Sequence, residues 1–300
     1  MKIVLFGKGG QVGWELQRSL APLGELIALD FDSTEHHADF SKPARLADTV
    51  RALRPDVIVN AAAHTAVDKA ESEPELAAAL NAEAPRVLAR ESAALGAWLV
   101  HYSTDYVFDG SGDAPRDEDA PTAPLSVYGR TKLEGEQHIR ASGCRHLMLR
   151  TSWVYAARGG NFARTMLKLA AERDALNVID DQIGAPTGAD LLADVTAHAV
   201  RACLQDASKG GLYHCVAGGQ TSWFEYALHV IGWARAHGLP TRVAPEAVRP
   251  VATSAFPTAA ARPLNSRLDT RRLRSTFGLV LPHWRIGVDR MLTEAFATTT

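Results

Sequence analysis

Residues 2–13 read Lys-Ile-Val-Leu-Phe-Gly-Lys-Gly-Gly-Gln-Val-Gly, an apolar pentapeptide followed at once by a glycine-rich turn. Gly7, Gly10 and Gly13 form a G-x-x-G-x-x-G pattern between a predicted strand and a predicted helix. Such a turn lets the backbone approach a pyrophosphate closely, and the first turn of the helix offers unpaired N–H groups to the anion. A glycine-rich turn that binds nothing is the alternative, but the strand–turn–helix context favours dinucleotide binding.

Strand-like and helix-like segments alternate through the first half of the chain. Predicted strands cover 3–6, 26–29, 57–60, 98–102 and 146–149, and predicted helices cover 12–20, 43–53 and 75–94. This alternation predicts an α/β fold, a doubly wound parallel sheet of the Rossmann type with helices on both faces.

The alternation of strands and helices becomes less regular after residue 150. Helices are predicted over 161–173, 189–204, 223–237, 268–277 and 283–296, and the proline- and alanine-rich stretch 243–263 is predicted to form loops and turns. We therefore predict a dinucleotide-binding domain over residues 1–150. Residues 151–300 are predicted to form mainly a smaller C-terminal substrate-binding lobe, with some segments returning to the first domain.

The composition excludes several classes of function. The 300 residues carry a net charge of −2, and no basic stretch is suited to nucleic acid or to an anionic membrane. The apolar runs are strand-sized and the N-terminus enters a strand at once, so we expect neither a transmembrane helix nor a signal peptide. Three scattered cysteines fit neither a disulfide framework nor a cysteine-rich zinc site. A cytoplasmic protein with reduced thiols is the expected class.

Tyr128 and Lys132 are four residues apart at the start of a predicted helix. This spacing puts both side chains on one face, one turn apart. An ammonium group beside a phenol lowers the tyrosine pKa from its usual value of about 10. Such a tyrosine can exchange a proton with a carbonyl oxygen near neutral pH. Taken alone, the pair also fits a surface tyrosine beside a solvated lysine.

Polar residues cluster where the predicted strands end. Asp30 ends the second strand, where a carboxylate can accept hydrogen bonds from the adenosine ribose hydroxyls. This carboxylate favours NADH because it repels a 2′-phosphate. Lys8 lies in the glycine loop, so NADPH remains an alternative cofactor. His64, after the third strand, is a cofactor contact, a proton shuttle or a turn residue, and we favour the contact. Thr104, after the fourth, offers a hydroxyl to the same carbonyl oxygen as Tyr128.

Several motifs together resemble the extended short-chain dehydrogenase/reductase group and, within it, the dTDP-4-dehydrorhamnose reductases. They lie at residues 7–16, 60–68, 103–108, 150–155 and 184–188, and residues 262–268 are also similar. The resemblance implies NADPH- or NADH-dependent reduction of the C4 ketone of dTDP-6-deoxy-L-lyxo-4-hexulose to dTDP-L-rhamnose. This is the last step in making that sugar donor, which supplies rhamnose for cell-surface polysaccharide such as lipopolysaccharide O-antigen.

The resemblance also implies roles for individual residues. The implied catalytic residues are Tyr128 as proton donor, Lys132 as the group that tunes its pKa, and Thr104 as hydroxyl partner. The implied cofactor-binding residues are Gly7, Gly10, Gln11, Val12, Asp30, Asp39, Phe40, Ala63, His64, Thr65, Tyr102, Tyr128 and Lys132. The implied substrate-binding residues are Thr104, Asp105, Trp153 and Arg262. Trp153 is alternatively a core residue, and Arg262 a solvated arginine.

Two positions depart from the family pattern. Gly9 stands where many relatives have threonine, and a glycine should be tolerated in a turn that binds through its backbone. Some relatives hold Mg²⁺ at acidic residues of a homodimer interface, and Glu15 matches one of these positions. Asp190 is followed by Leu191 where an acidic pair is expected, so Mg²⁺ and a homodimer built on it are both left open.

Two other functions remain alternatives on the same fold. A nucleotide-sugar dehydratase would need a glutamate after Asp105, where this chain has Tyr106, and an epimerase usually has a different sequence at this strand end. A non-catalytic regulatory subunit would need the cofactor pocket but not an intact Thr104, Tyr128 and Lys132. The sequence leaves dTDP and UDP carriers undistinguished, since one methyl group separates the two bases.

Overall fold

The computed structural model describes residues 1–296 and is built on a six-stranded parallel sheet with helices on both faces. The strands are β1 (Lys2–Phe6), β2 (Glu25–Leu29), β3 (Val57–Asn60), β4 (Trp98–Thr104), β5 (Arg145–Thr151), β6 (Val154–Tyr155), β7 (Leu176–Ile179), β8 (Ile183–Gly184), β9 (Thr187–Gly188), β10 (Gly211–His214), β11 (Thr221–Ser222) and β12 (Val248–Val251). The main sheet has the order β10-β5-β4-β3-β1-β2, and the remaining strands form three two-stranded ladders.

Eleven α-helices cover the described part of the chain. They are α1 (Gln11–Leu20), α2 (Leu46–Leu53), α3 (Val67–Ser72), α4 (Pro74–Ala78), α5 (Ala84–Leu95), α6 (Val127–Ala141), α7 (Phe162–Glu172), α8 (Ala189–Gln205), α9 (Trp223–Ala236), α10 (Arg271–Phe277) and α11 (Trp284–Phe296). A π-helical turn over Ala79–Glu83 joins α4 to α5, so the helix predicted over 75–94 is one helical run with a change of winding inside it. None of these helices, within residues 1–296, is long and apolar enough to cross a membrane.

The apolar pentapeptide at the N-terminus becomes β1 because both of its faces are covered. Ile3 and Leu5 pack into one core with α1 and α8, whereas Val4 and Phe6 pack into a second core with α2 and α5. All four side chains are fully buried. A strand buried on both faces needs continuous rather than alternating hydrophobicity, which is the pattern of this segment.

The strand order places a switch point between β1 and β3. The chain leaves β1 toward β2 on one side and then crosses to β3 on the other, so the loops after β1 and β3 diverge and open a crevice. Gly7 has φ of +86°, and a Cβ there would lie 2.7 Å from the Ala62 backbone nitrogen. A Cβ at Gly13 would lie 1.9 Å from the Gly7 carbonyl oxygen. Both glycines are therefore required for the first helix and the two loops to meet.

The second half of the chain contains seven strands, β6 to β12, for which no strand was predicted from the sequence. β10 extends the main sheet beside β5, and β12 pairs with β7 inside the stretch predicted to be loops and turns. β12 contains Pro250, which lowers strand propensity, and it forms because β7 supplies a partner more than sixty residues earlier. A third core packs α7, α9 and α11 together. Assignment of residues 151–300 as mainly a substrate lobe remains a prediction.

Candidate active site

A cleft of about 750 Å³ opens at the carboxyl ends of β1, β3 and β4. Its size is that of an ordinary small-molecule or cofactor site. It is lined by Gly7, Gly9, Gly10, Gln11, Val12, Asp30, Phe31, Ala38, Asp39, Phe40, Ser41, Ala61, Ala62, Ala63, Thr65, Leu76, Leu80, Tyr102, Ser103, Tyr128, Lys132, Thr151 and Val154. Most of the residues predicted to bind the cofactor therefore lie together in one cleft.

The glycine turn supplies an anion site at one wall of this cleft. Gly10 is the N-cap of α1 and carries no side-chain cap, so the first N–H groups of the helix face the cleft without a competing oxygen. Gln11 is held away from them, since its side-chain amide donates to the Gly160 carbonyl oxygen at 2.8 Å. A turn of this form suits a pyrophosphate.

Asp30 is tied to the same turn. Its Oδ2 accepts the Gly9 N–H at 2.7 Å, and its Oδ1 accepts the Phe31 N–H at 2.9 Å. A Cβ at Gly9 would lie only 2.6 Å from Asp30 Oδ2. The carboxylate is thereby fixed at the end of β2, where a ribose would be recognised.

Asp39 and Phe40 form the far end of the cleft. Asp39 accepts hydrogen bonds from the backbone and hydroxyl of Ser41, which lower the pKa of its carboxyl group. Phe40 is buried and meets Phe6 edge to face, with ring centroids 5.6 Å apart. An apolar ring beside an acceptor is an arrangement suited to an adenine.

His64 lies behind the cleft rather than in its lining. Its Nε2 is 3.2 Å from Glu73 Oε2, and its backbone N–H donates to Asn81 Oδ1 at 2.8 Å. The expectation that it lines the cofactor cleft is not met by this structure, because the ring pairs with Glu73, which lies between α3 and α4. The neighbouring Ala63 and Thr65 do line the cleft.

Tyr128 lies in the first turn of α6, which Ser126 caps by accepting the Gly129 N–H at 3.2 Å. Burial raises the pKa of Tyr128 to about 12, a hydrogen bond with Thr104 lowers it in part, and the charge of Asp105 raises it. The sequence analysis expected a pKa below 10, which is wrong for this arrangement because desolvation outweighs the favourable contacts. A phenol with this pKa stays protonated at neutral pH and suits a proton donor.

Lys132 is 2% exposed and also faces the cleft. Its ammonium group donates to the Tyr102 carbonyl oxygen at 2.6 Å and is 3.2 Å from His101 Nε2. Burial lowers the pKa of Lys132 to about 8, and the charge of Glu136 offsets part of this shift. Lys132 was predicted to lower the pKa of Tyr128. It is not among the groups that set that pKa in this structure.

The predicted substrate residues fall in two places beside the cleft. Thr104 is the last residue of β4 and Asp105 follows it, and the Thr104 hydroxyl donates to Asp105 Oδ1 at 3.1 Å. Burial raises the pKa of Asp105 to about 6. Arg262 lies farther out, where it forms a bidentate ion pair with Asp68, at 2.6 Å for Nη2 to Oδ2. Its guanidinium is therefore partly neutralised before any diphosphate is bound.

Trp153 is held in an unusual backbone conformation, with φ of +51°. Its ring stacks on Trp223 with centroids 3.6 Å apart, and a Cβ at Gly184 would lie 2.8 Å from it. A bulky residue with positive φ is costly, and such strain is most often found at functional sites. The ring is half-buried, so it is neither enclosed in the core nor fully exposed for stacking on a ligand.

The predicted Mg²⁺ position does not assemble a metal site from this chain. Glu15 and Asp190 line a second cavity of about 350 Å³, but Glu15 pairs with Arg18 and Asp190 pairs with Arg290 at 3.2 Å. Within residues 1–296, no three His, Cys, Asp or Glu side chains converge as metal ligands. Both carboxylates are already paired with arginines, so residues 1–296 of one chain do not by themselves assemble a Mg²⁺ site.

Sequence reasoning missed several residues that line the cleft. They are Gly9, Phe31, Ala38, Ser41, Leu76, Leu80, Ser103, Thr151 and Val154. Ala61 and Ala62 also line the cleft and carried a usable signal, since small residues directly after a buried strand permit close approach of a ligand. Leu76 and Leu80 had none, because they reach the cleft only through the packing of α4 and the π-helical turn.

Comparison with known proteins places this geometry in context. A protein-family model described as the RmlD substrate binding domain matches residues 1–296. The chain is 60% identical over 300 residues to the dTDP-4-dehydrorhamnose reductase of Salmonella typhimurium (strain LT2), with 100% of each chain covered.

Two solved structures are similar over nearly the whole chain. One is a dTDP-4-dehydrorhamnose reductase from Clostridium acetobutylicum, with a TM-score of 0.88, 34% identity, and coverage of 98% of this chain and 99% of that chain. The other is a dTDP-4-dehydrorhamnose reductase from Bacillus anthracis in complex with NADP, with a TM-score of 0.85, 35% identity and the same coverage.

Proposed function

Because the chain belongs to the family described as the RmlD substrate binding domain, we propose that it is an NAD(P)H-dependent oxidoreductase that makes dTDP-L-rhamnose. The reaction is reduction of the C4 ketone of dTDP-6-deoxy-L-lyxo-4-hexulose, the last step of dTDP-rhamnose biosynthesis. The observation that carries the proposal is the meeting of Tyr128, Lys132 and the glycine turn in one cleft at the switch point of the sheet.

The residues that would hold the nicotinamide cofactor fit such a ligand. The first turn of α1 would offer its free N–H groups to the diphosphate, and Asp30 would accept from the adenosine ribose. Asp39 and Phe40 form the adenine end, while Ala63, Thr65 and Tyr102 line the path toward Tyr128. When bound, the cofactor supplies the hydride that the ketone carbon accepts.

Tyr128 and Thr104 both donate to the oxygen of the ketone. As negative charge develops there, the Tyr128 phenol donates its proton and the Thr104 hydroxyl donates a hydrogen bond to the same atom. Lys132, as a buried cation, stabilises the negative charge on the Tyr128 oxygen as it forms. Asp105, which accepts the Thr104 hydroxyl, and Trp153 would orient the sugar, and Arg262 would share its guanidinium between Asp68 and the diphosphate.

The alternatives have less support from the site. A dehydratase is disfavoured because Tyr106 occupies the position of the expected glutamate, and its ring packs edge-on against Tyr128 with centroids 5.5 Å apart. A regulatory subunit would not need a tyrosine, a threonine and a lysine buried close together. Burial of such groups is costly, and perturbed pKa values of this kind concentrate at catalytic sites.

The proposal is tested by following cofactor oxidation with enzymatically prepared dTDP-6-deoxy-L-lyxo-4-hexulose and by identifying the product. Substrate-dependent oxidation of NADPH or NADH that yields dTDP-L-rhamnose is the expected result. The same assay with the UDP-linked ketosugar measures how strongly the carrier base is recognised. Cofactor binding without oxidation of any nucleotide ketosugar would support the regulatory alternative instead.

Assembly and location are further parts of the proposal. We infer a cytoplasmic protein, because nucleotide sugars and reduced nicotinamide cofactors are cytoplasmic reactants, and a homodimer whose contact does not need Mg²⁺. Sedimentation of the protein with Mg²⁺ and with a chelator tests the second point. A dimer that forms only with Mg²⁺ would contradict it.

A further inference from the structure

His101 lies in β4 between Asn60 and Lys132, and all three side chains are almost completely buried. His101 Nδ1 is 3.1 Å from Asn60 Nδ2, and His101 Nε2 is 3.2 Å from Lys132 Nζ. Neither Asn60 nor His101 is among the described residues that line the cleft. The imidazole therefore acts on the site only through Lys132.

The orientation of the Asn60 amide is determined by the backbone. The Ala62 N–H donates to Asn60 Oδ1 at 3.0 Å, and a main-chain N–H can only donate. The Asn60 oxygen must face Ala62, so its NH₂ group faces His101. His101 Nδ1 consequently accepts a hydrogen bond, and the proton of the neutral imidazole is on Nε2.

The His101 Nε2–H then points at the Lys132 nitrogen. Lys132 already donates to the Tyr102 carbonyl oxygen at 2.6 Å. A neutral amine has a lone pair that accepts the imidazole N–H, whereas an ammonium group has only donors, so two N–H groups would face each other. Burial and the Lys132 charge hold the pKa of His101 well below its usual range, which favours the neutral imidazole in this position.

The other groups around Lys132 are neutral or already paired, so His101 decides the balance between its ammonium and amine forms. Glu136, one turn later on α6, favours the ammonium form, but Arg150 from β5 engages its carboxylate in a bidentate pair at 2.8 and 2.6 Å. Tyr128, one turn earlier, stays neutral at physiological pH because burial raises its pKa to about 12. Asn81 and Thr131, on the adjoining helical run and on α6, are uncharged.

We propose that His101, held by Asn60 as the Nε2–H tautomer, is a positioning residue that makes Lys132 a readily exchangeable acid beside Tyr128. The inference rests on the proposed function. In the reaction, Tyr128 gives its O–H proton to the sugar oxygen and becomes a phenolate. Lys132 returns an N–H proton to the phenolate and becomes the amine that accepts the His101 N–H. A solvent proton then restores the ammonium group.

The tautomer can be measured without substrate by ¹⁵N NMR of histidine-labelled protein. His101→Gln identifies the signals by their loss, and we expect protonated Nε2 and unprotonated Nδ1 at His101. In Asn60→Asp, a carboxylate oxygen replaces the amide NH₂, so the proton should move to Nδ1. An Nδ1–H tautomer in the unsubstituted protein would overturn the proposal, whether or not the protein reduces the ketosugar and whether or not either variant folds.

The pH dependence of kcat provides a second readout. With Nδ1–H in Asn60→Asp, Nε2 accepts from the ammonium group, so the fall in kcat at high pH should move upward by about one pH unit or more. Combining Asn60→Asp with His101→Gln keeps the carboxylate but removes the imidazole, and most of this shift should be lost. A full shift in the double variant would assign the effect to charge alone and contradict the role of His101.

Discussion

The Gly9 N–H donates to Asp30 Oδ2 at 2.7 Å, and this bond adds a side-chain link to the backbone hydrogen bonds that already join the turn after β1 to the end of β2. The contact depends on the absence of a side chain at residue 9, because a Cβ there would approach the same oxygen to 2.6 Å. Residue 9, where the family resemblance leads one to expect threonine, is therefore coupled to the residue expected to bind the ribose. A departure that looked neutral in the sequence has a structural consequence.

We predict that Gly9→Ala moves cofactor preference from NADH toward NADPH. The added methyl group displaces the Asp30 carboxylate, and loss of a hydrogen bond to a charged group is worth about 1.5–3 kcal/mol. The kcat/KM for NADH should fall about tenfold or more, since 1.4 kcal/mol corresponds to a factor of ten. Steady-state kinetics with both cofactors measure the ratio. Asp30→Ala is the matched comparison and should move the ratio in the same direction; an unchanged ratio in both variants would remove the ribose role of Asp30.

We predict that Tyr128→Phe lowers kcat by a factor of about 10²–10⁴ while cofactor binding is retained. The variant removes the proton donor but keeps the ring that lines the cleft. Single-turnover kinetics and calorimetric titration with NADPH separate the two effects. Tyr226→Phe is the control, because Tyr226 is buried in the third core and its hydroxyl has no partner among the described residues. Near-normal turnover of Tyr128→Phe would reject Tyr128 as the donor.

Asp105 should produce the acidic limb of the pH profile. Burial raises its pKa to about 6, so the carboxylate form that accepts sugar hydroxyls is lost as the pH falls through that value. We expect kcat/KM to rise with pH up to about 6 and then level off. Asp105→Asn cannot ionise and should flatten this limb at a lower kcat/KM. A limb that persists unchanged in Asp105→Asn would belong to another group.

Glu136 and Arg150 should matter for stability rather than for binding. Both side chains are at most 2% exposed, and removal of one partner leaves an uncompensated buried charge. We predict that Glu136→Ala lowers the free energy of unfolding by about 3–5 kcal/mol, measured by urea denaturation. Asp174→Ala breaks the exposed pair with Arg242 and should cost no more than about 1 kcal/mol. Equal losses in the two variants would contradict the burial argument.

Much of the architecture could be predicted from local sequence pattern. β1 and β3 were predicted to within one residue, and α1 and α6 were placed by the glycine turn and the Tyr128–Lys132 spacing. β10 and β12 were missed because short strands form only where a distant partner completes their hydrogen bonds. The same dependence on long-range packing explains why Leu76 and Leu80 were not recognised as cleft residues.

The sequence by itself determined the fold class, the cofactor turn and the identity of the reactive groups, because these follow from hydrophobic periodicity, glycine spacing and residue type. Only the tertiary structure decided the protonation chemistry. Burial places the pKa of Tyr128 near 12 and that of Lys132 near 8, turns His64 toward Glu73, and puts His101 against the lysine nitrogen. These properties depend on desolvation and on contacts between residues far apart in the chain, which no local pattern encodes.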